Sequence, residues 1–284
     1  MTERHLKDCN ILLIGAGSIA KAMIRGLTAG RAVERERITV TNRSRREQLL
    51  ALREMYGVRT VDDIWAQTDA IQAADIVVLA VKPHDLLAVA GRLRPFLKKG
   101  AVLLSLAAGI GTDAIEKQVG ARVAVVRAMP NTACAVLESA TAVCFGRTCN
   151  AEAMDLACDV LAQLGEVSIV DEHEMDAVTG VSGSGPAYFY YMVEALQQAA
   201  EAQGLSAETA RRLILQTLFG AGKMMQETGL EASELRRQVT SPNGTTMAGL
   251  QVLEQAGFSQ VMHSVVDAAT RRSREMGLEL QSAE

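Results

Sequence analysis

Apolar residues follow two different rhythms along the chain. From residue 10 to about residue 170, short apolar runs alternate with stretches in which apolar positions recur at helical spacing. "NILLIGAGS", "RITVTNR", "DIVVLAVKP", "AVLLSLAAG", "RVAVVRAMP", "TAVCFG" and "EVSIVD" predict strands. Several are apolar at nearly every position, as strands covered on both faces tend to be. Between them, "SIAKAMIRGLTAG" and "RREQLLALREMYG" have helical periodicity and end in glycine, a frequent residue just past a helix. The alternation predicts βαβ units with right-handed crossovers, hence an open, mostly parallel sheet with helices on both faces. "TAVCFG" and "EVSIVD" flank the helix-like "AEAMDLACDVLAQLG" and are expected to extend that sheet at its edge.

After Asp171 the rhythm becomes wholly helical. "DAVTGVSGSGPAYFYYMVEALQQAAEAQ", "SAETARRLILQTLFGAGKMMQ", "EASELRRQV", "TTMAGLQVLEQAG" and "FSQVMHSVVDAATRRSREMG" have no convincing strand among them. Ser206 with Glu208 and Thr209, and Ser233 with Glu234, read as helix starts. A boundary is therefore expected near residues 168–172, giving a sheet domain over 1–169 and an all-helical domain over 170–284. Many of the later helices are apolar on more than one face, which predicts subunit pairing through that domain.

The bulk numbers narrow the function. A chain of 284 residues with 49% hydrophobic and 22% charged residues is an ordinary globular protein. Its formal net charge of −4 argues against general nucleic-acid binding, which needs a basic surface. The charged opening "MTERHLKDCN" predicts no secretory signal, and Ala177–Val193 is too short and polar for a membrane span. Cys9, Cys134, Cys144, Cys149 and Cys158 form no CxxC pair, which suits reduced thiols in a cytoplasm. The four histidines offer no metal-ligand spacing, so no metal site is expected.

"ILLIGAGSIA" places Gly15, Gly17 and Ala20 in a G-x-G-x-x-A pattern after a strand and before a helix. Gly15 permits the tight turn, and Gly17 has no side chain to block a pyrophosphate. Ala20 lets helix and strand approach, and the free amides of Ser18 and Ile19 face the anion. This is the fingerprint of a Rossmann-type dinucleotide site. The second strand then selects the cofactor. An NAD site carries an acid at its end, whereas "ITVTNRSRRE" has no acid before Glu47. Arg43 and Ser44 can bind a 2′-phosphate, so NADPH is the expected cofactor, with NADH as the alternative donor. A solvated basic helix start is the competing explanation, but the helix dipole disfavours it. "AVKP" and "LAAG" are further strand ends, where small residues let the backbone approach the ribose and nicotinamide. Lys82 at such an end has a catalytic reading and a solvated or phosphate-facing one.

Hydride transfer to a carbonyl creates an alkoxide and calls for a proton donor. No lysine lies between Lys117 and Lys223, and no histidine between His173 and His263. Tyr188 is a candidate donor, but tyrosines at the spacing of Tyr188, Tyr190 and Tyr191 also serve as core or interface residues. An iminium substrate removes the difficulty, because its nitrogen already carries the proton and hydride addition neutralises charge. The protein then needs only to bind a small anion and orient one carbon. "VTSPNGTTMAGL" suits that work: a helix starting at Gly244, Thr245 and Thr246 offers free amides for a carboxylate and a hydroxyl for a nitrogen. Alone, the same stretch also reads as an elaborate N-cap, with Thr240 or Ser241 shaping the turn.

The motifs "GAGSIA", "AVKP", "SLAAGI", "RAMPNT", "DAVTGVSGSGPAYFYYMVEA" and "VTSPNGTTMAGLQVLE" occur in that order over nearly the whole chain. In this the chain closely resembles the pyrroline-5-carboxylate reductase family, which makes proline from 1-pyrroline-5-carboxylate. The resemblance implies a phosphate loop at Ile14, Gly15, Ala16, Gly17, Ser18 and Ile19, and adenosine-phosphate contacts at Asn42, Arg43 and Ser44. It implies nicotinamide-side contacts at Ala80, Val81, Lys82 and Pro83, with Leu106, Ala107 and Ala108. Thr245 and Thr246 match the substrate loop, the Thr246 hydroxyl facing the ring nitrogen as the catalytic contact. Glu172 corresponds to a family residue near the substrate, although by sequence alone it reads as a solvated acid. The resemblance also implies a cytoplasmic enzyme of proline biosynthesis that forms a homodimer through its C-terminal helices, with a decamer as the larger assembly.

Two departures stand out. Ala133 in "RAMPNTACA" replaces a proline usual in the family, which predicts a looser loop. Asn243 in "SPNGTT" replaces a common glycine, and asparagine tolerates positive φ well enough for the turn to survive. Three rivals remain at this level: a reductase of another cyclic imine such as piperideine carboxylate, a 3-hydroxyacid dehydrogenase, and a nucleotide-binding regulator without turnover. The second lacks its expected lysine after Gly185, and the third leaves the threonine-rich stretch unexplained.

Overall fold

The computed structural model describes residues 5–43 and 46–282. Eight strands form one sheet: β1 (Ile11–Ile14), β2 (Ile38–Thr41), β3 (Arg59–Val61), β4 (Ile76–Leu79), β5 (Val102–Ser105), β6 (Ala124–Met129), β7 (Ser139–Phe145) and β8 (Gly165–Ile169). Their spatial order is β3-β2-β1-β4-β5-β6-β7-β8. All neighbours are parallel except β6 and β7, which run antiparallel with Arg127 opposite Cys144. The crossovers between the parallel strands carry α1 (Ser18–Ala29), α2 (Arg46–Tyr56), α3 (Asp69–Ala73), α4 (Pro83–Leu93), α5 (Thr112–Val119) and α6 (Ala151–Ala162). The expected sheet is thus present, extended by β7 and β8 as anticipated.

The strand pattern has a direct physical cause. In β1, Ile11 and Leu13 enter one core with Met23, Ile24 and Leu27 of α1. Leu12 and Ile14 enter the opposite core with Leu86, Ala90 and Leu93 of α4. A strand buried on both faces has no position left for a polar residue, hence the continuous apolar run. The unanticipated strand β3 is three residues long and lies at the edge beside β2. Too short and too exposed to alternate visibly, it gives no sequence signal.

Past β8 the chain is helical: α7 (Met175–Val178), a π-helical turn over Thr179–Gly183, α8 (Gly185–Ala202), α9 (Ala207–Thr228), α10 (Ala232–Gln238), α11 (Thr245–Gln255) and α12 (Phe258–Ser282). By compactness the chain forms two units. One runs to Ser184 and resumes at Ala268, and the other is Gly185–Asp267. The sheet therefore keeps α7, the π turn and the last part of α12, whereas the sequence rhythm changes already at the end of β8.

Helix ends follow ordinary capping rules. The Ser206 hydroxyl accepts from the Thr209 amide and caps α9 as expected. Ser233 does not cap α10, because the helix starts at Ala232 after Glu231. Gly57 takes the left-handed φ of 72° after α2. After α1 the expected glycine does not: Gly30 stays helical at φ −79°, and Arg31 takes φ 52° instead. Among the described residues, no helix is long and apolar enough to cross a membrane.

Candidate functional site

The turn after β1 is built for close approach. Gly15 sits at φ 111°, and a β-carbon there would collide with the carbonyl oxygen of Ala80. Its amide donates to the Thr41 oxygen at 2.9 Å, and the Ala80 amide donates to the Ile14 oxygen at 2.9 Å. These bonds align the carboxyl ends of β1, β2 and β4 around one crevice, where open α/β sheets take their ligands. Gly17 is exposed, and a β-carbon on it would meet nothing within 4 Å. As the N-cap of α1 it offers no side chain to the helix, so the first-turn amides of Ser18 and Ile19 have no capping partner. Ala16 is buried beneath this turn, and Ala20 packs fully buried in the core. An open cradle beneath uncapped amides fits a pyrophosphate.

At the end of β2, Asn42 donates through Nδ2 to Gln48 Oε1 at 3.3 Å. Arg43 is exposed, and its Nη1 lies 3.3 Å from Asp85 Oδ1. The sequence shows no acid beside the second strand, yet the fold brings one from α4. The pair is loose and largely solvated, so releasing Arg43 to a phosphate costs little. Ser44 lies outside the described residues. Lys82, exposed, precedes α4, and Pro83 takes its first position. Ala80 and Val81 are partly buried at the end of β4. Leu106 continues β5, its amide donating to the Leu79 oxygen at 3.1 Å, and Ala107 beside it is buried. Ala108 is partly open. These positions border one edge of the crevice.

Glu172 is more engaged than its sequence context suggests, although its side chain remains 38% exposed. Its Oε2 accepts from the Thr112 amide at 2.9 Å and from Thr112 Oγ1 at 2.8 Å, at the first residue of α5. Its Oε1 pairs with Arg127 Nη1, and the Cys144 thiol donates to Oε2 across 3.4 Å. Burial, and next the Glu172 charge, push the Cys144 thiol up to about 12, so it stays protonated and a donor. Arg127 is only 4% exposed, and its Nη2 is buried with no hydrogen-bond partner among the described residues. Motif reading assigns no role to Thr112 or to Arg127, although Arg127 opens the motif "RAMPNT". A signal was present: a charge inside the apolar run of β6 must find a counter-charge.

In the helical unit, α11 begins at Thr245 with Gly244 as N-cap, and no side chain caps it. The Thr240 hydroxyl donates instead to the Arg236 oxygen at 2.6 Å. The Ser241 oxygen accepts from the Gly244 amide at 3.1 Å, closing the turn. Asn243 takes φ 59°, the positive value expected of it. Neither Thr240 nor Ser241 supplies a side-chain cap, so a row of polar residues leaves the helix start open, with Thr245 and Thr246 exposed. The loop at Ala133 is held: the Asn131 side chain accepts from the Ala133 amide at 3.0 Å. Tyr190 and Tyr191 are exposed. Among the described residues no cluster of three metal-ligating side chains occurs, and none of the five cysteines is in a disulfide.

Similarity to known proteins covers both halves. Residues 10–109 match a family described as NADP oxidoreductase, coenzyme F420-dependent. Residues 172–276 match one described as pyrroline-5-carboxylate reductase dimerisation. Pyrroline-5-carboxylate reductase 1 of Bacillus spizizenii is 38% identical, aligned over 95% of this chain and 90% of its own. A solved pyrroline-5-carboxylate reductase from Coxiella burnetii shares 39% identity at a TM-score of 0.88, covering 94% of this chain and 98% of its own. A pyrroline carboxylate reductase from Plasmodium falciparum, solved with NADP bound, shares 27% identity at a TM-score of 0.83, covering 96% and 99%.

Proposed function

The chain belongs to the pyrroline-5-carboxylate reductase family, and from that premise we propose that it reduces the C=N bond of 1-pyrroline-5-carboxylate, giving L-proline. The observation that carries this reading is the uncapped start of α11 at Thr245 and Thr246. A helix start left open by its own polar neighbours is a ready site for a small carboxylate. The residues around the turn at Gly15–Ile19 fit a nicotinamide dinucleotide, which when bound supplies the hydride.

The chain's own part is binding and orientation. We assign the carboxylate to the amides of Thr245 and Thr246, and the ring nitrogen to the Thr246 hydroxyl. That nitrogen is protonated before reaction, so hydride addition leaves a neutral amine and no oxyanion for a side chain to quench. Absence of lysine and histidine from this region is consistent with such chemistry. NADPH is the proposed preferred donor, on the strength of Arg43 at the end of β2, with Asn42 and Ser44 as its neighbours. Residues 1–169 are assigned to the dinucleotide and 170–284 to substrate and subunit pairing, as a homodimer and, by resemblance alone, a decamer. Five cysteines outside any disulfide favour a cytoplasmic setting.

A steady-state assay of purified protein tests the reading. Oxidation of NADPH should depend on added pyrroline-5-carboxylate, with a higher kcat/KM for NADPH than for NADH. A protein that binds NADP+ yet shows no pyrroline-dependent oxidation overturns the activity. Equal or better use of NADH overturns only the preference.

A further inference from the structure

We propose that Glu172 is a positioning residue that sets the loop Leu106–Thr112 for the cofactor, with Arg127 as its buried counter-ion. The proposal rests on the dinucleotide site proposed above. That loop leaves the carboxyl end of β5, in the crevice that the β1 turn opens, and Thr112 ends it as the first residue of α5. Its two ends are fixed differently. Leu106 is fixed by the sheet, through its amide bond to the Leu79 oxygen. Thr112 is fixed by Glu172, which takes both its amide and its hydroxyl on one oxygen.

The carboxylate also lies against the loop backbone. A β-carbon on Gly111 would stand 3.5 Å from Glu172 Oε1. Gly277 of α12 also presses on the loop, so closely that a β-carbon there would stand 2.6 Å from the Gly109 oxygen. Gly109 itself takes φ 78°. The loop is thus held between a carboxylate and a helix backbone, with little slack.

Four donors of the protein engage the Glu172 carboxylate: the Thr112 amide and hydroxyl, Arg127 and Cys144. Both of its oxygens are thereby tied to the protein. Stability is not a sufficient reason for the pair. Arg127, whose side chain is only 5% exposed, loses its solvation in this pair, and apolar replacements of buried charges are often as stable. Arg127 even leaves Nη2 without a partner, a cost that a purely structural brace has no reason to carry. What such a pair does provide is a single orientation of the groups it joins, here β6, α5 and the 3-10 turn at Glu172–Glu174.

The three roles open to Glu172 separate in measurement. The variants Glu172→Gln and Thr112→Val are compared with wild type by calorimetric NADP+ binding, by the two KM values, and by thermal melting. Positioning predicts a rise of about tenfold in NADP+ Kd for Glu172→Gln, the scale of one lost charge-assisted hydrogen bond. KM for NADPH should rise in parallel. Thr112→Val, which keeps the ion pair, should move the same constants by a smaller factor. A rise confined to the pyrroline KM makes Glu172 a substrate contact and overturns the proposal. A lowered Tm with all binding constants unchanged makes it a brace only, which also overturns it. If Glu172→Gln does not fold, Thr112→Val decides: unchanged NADP+ affinity there counts against positioning. Because NADP+ binding needs no turnover, this result stands apart from the outcome of the pyrroline assay.

Discussion

The two glycines of the β1 turn do different work, and single substitutions separate them. Gly15 is conformational: φ 111° and the nearby Ala80 carbonyl leave no room for a side chain. Gly17 has an ordinary φ of −75° and open space where a β-carbon would be, so an alanine there strains nothing in the free protein. Its methyl would occupy the cradle instead. Gly17→Ala is therefore expected to melt within a degree or two of wild type while losing about tenfold or more in NADPH affinity, measured by calorimetry. Unchanged affinity would remove this turn from the cofactor site. The geometry of this turn was legible in sequence because backbone chemistry is written in glycine spacing. The partners of Glu172 were not, since Thr112, Arg127 and Cys144 come from three elements that meet only in the folded chain. Asp85, which faces Arg43 from α4, escaped for the same reason.

Among the elements, α6 shows how local rules and tertiary packing combine. Asn150 caps it, accepting from the Ala153 amide at 2.9 Å, and Ala153, Leu156, Ala157, Val160 and Leu161 are buried against the sheet. The cap precedes a buried face, so its loss is felt by the whole sheet unit rather than by a frayed end. Asn150→Ala is expected to lower unfolding free energy by about 1 kcal/mol in urea titration, with kcat/KM unchanged. A loss near zero would mean that packing alone sets this helix start. Periodicity found α6 and β7 through their buried apolar residues. It found β8 through the alternation of Val167 and Ile169 with Glu166 and Ser168, although no residue of β8 is buried. It missed β3, and it put the left-handed residue after α1 one position early, at Gly30 instead of Arg31. The long helix expected across "DAVTGVSGSGPAYF" is broken into α7, a π turn and α8. Within that break Thr179 and Ser182 donate back to the oxygens of Met175 and Val178. Such back-bonding competes with the regular ladder and accompanies helix irregularity. Apolar spacing is blind to it.

At the scale of the whole molecule, the helical unit is unfinished as a single copy. Within α8–α11 only Gly185 and Ala210 are buried, and neither brings a large side chain. Phe219 is 63% exposed and Tyr191 74%, and Leu196, Leu213, Leu218 and Val252 are also exposed. Each such side chain forgoes about 1.5–3 kcal/mol that burial would provide, and a surface of this extent marks an interface. The match of residues 172–276 to a dimerisation family supports homo-oligomerisation, with further copies of the same chain as the cover. Two-fold pairing would turn these exposed faces into a shared core. It follows that folding of this unit and association are one equilibrium, so Tm should rise with protein concentration across the micromolar range. Light scattering should return at least twice the chain mass, with no monomer under conditions that support activity. Phe219→Glu, a charge set in the exposed apolar face of α9, should shift the population toward monomer and reduce helical circular dichroism, because the freed helices have no core of their own. A wild-type protein that scatters as a monomer with its full helical signal would show that these faces are stable in water, and the pairing argument would fail with it.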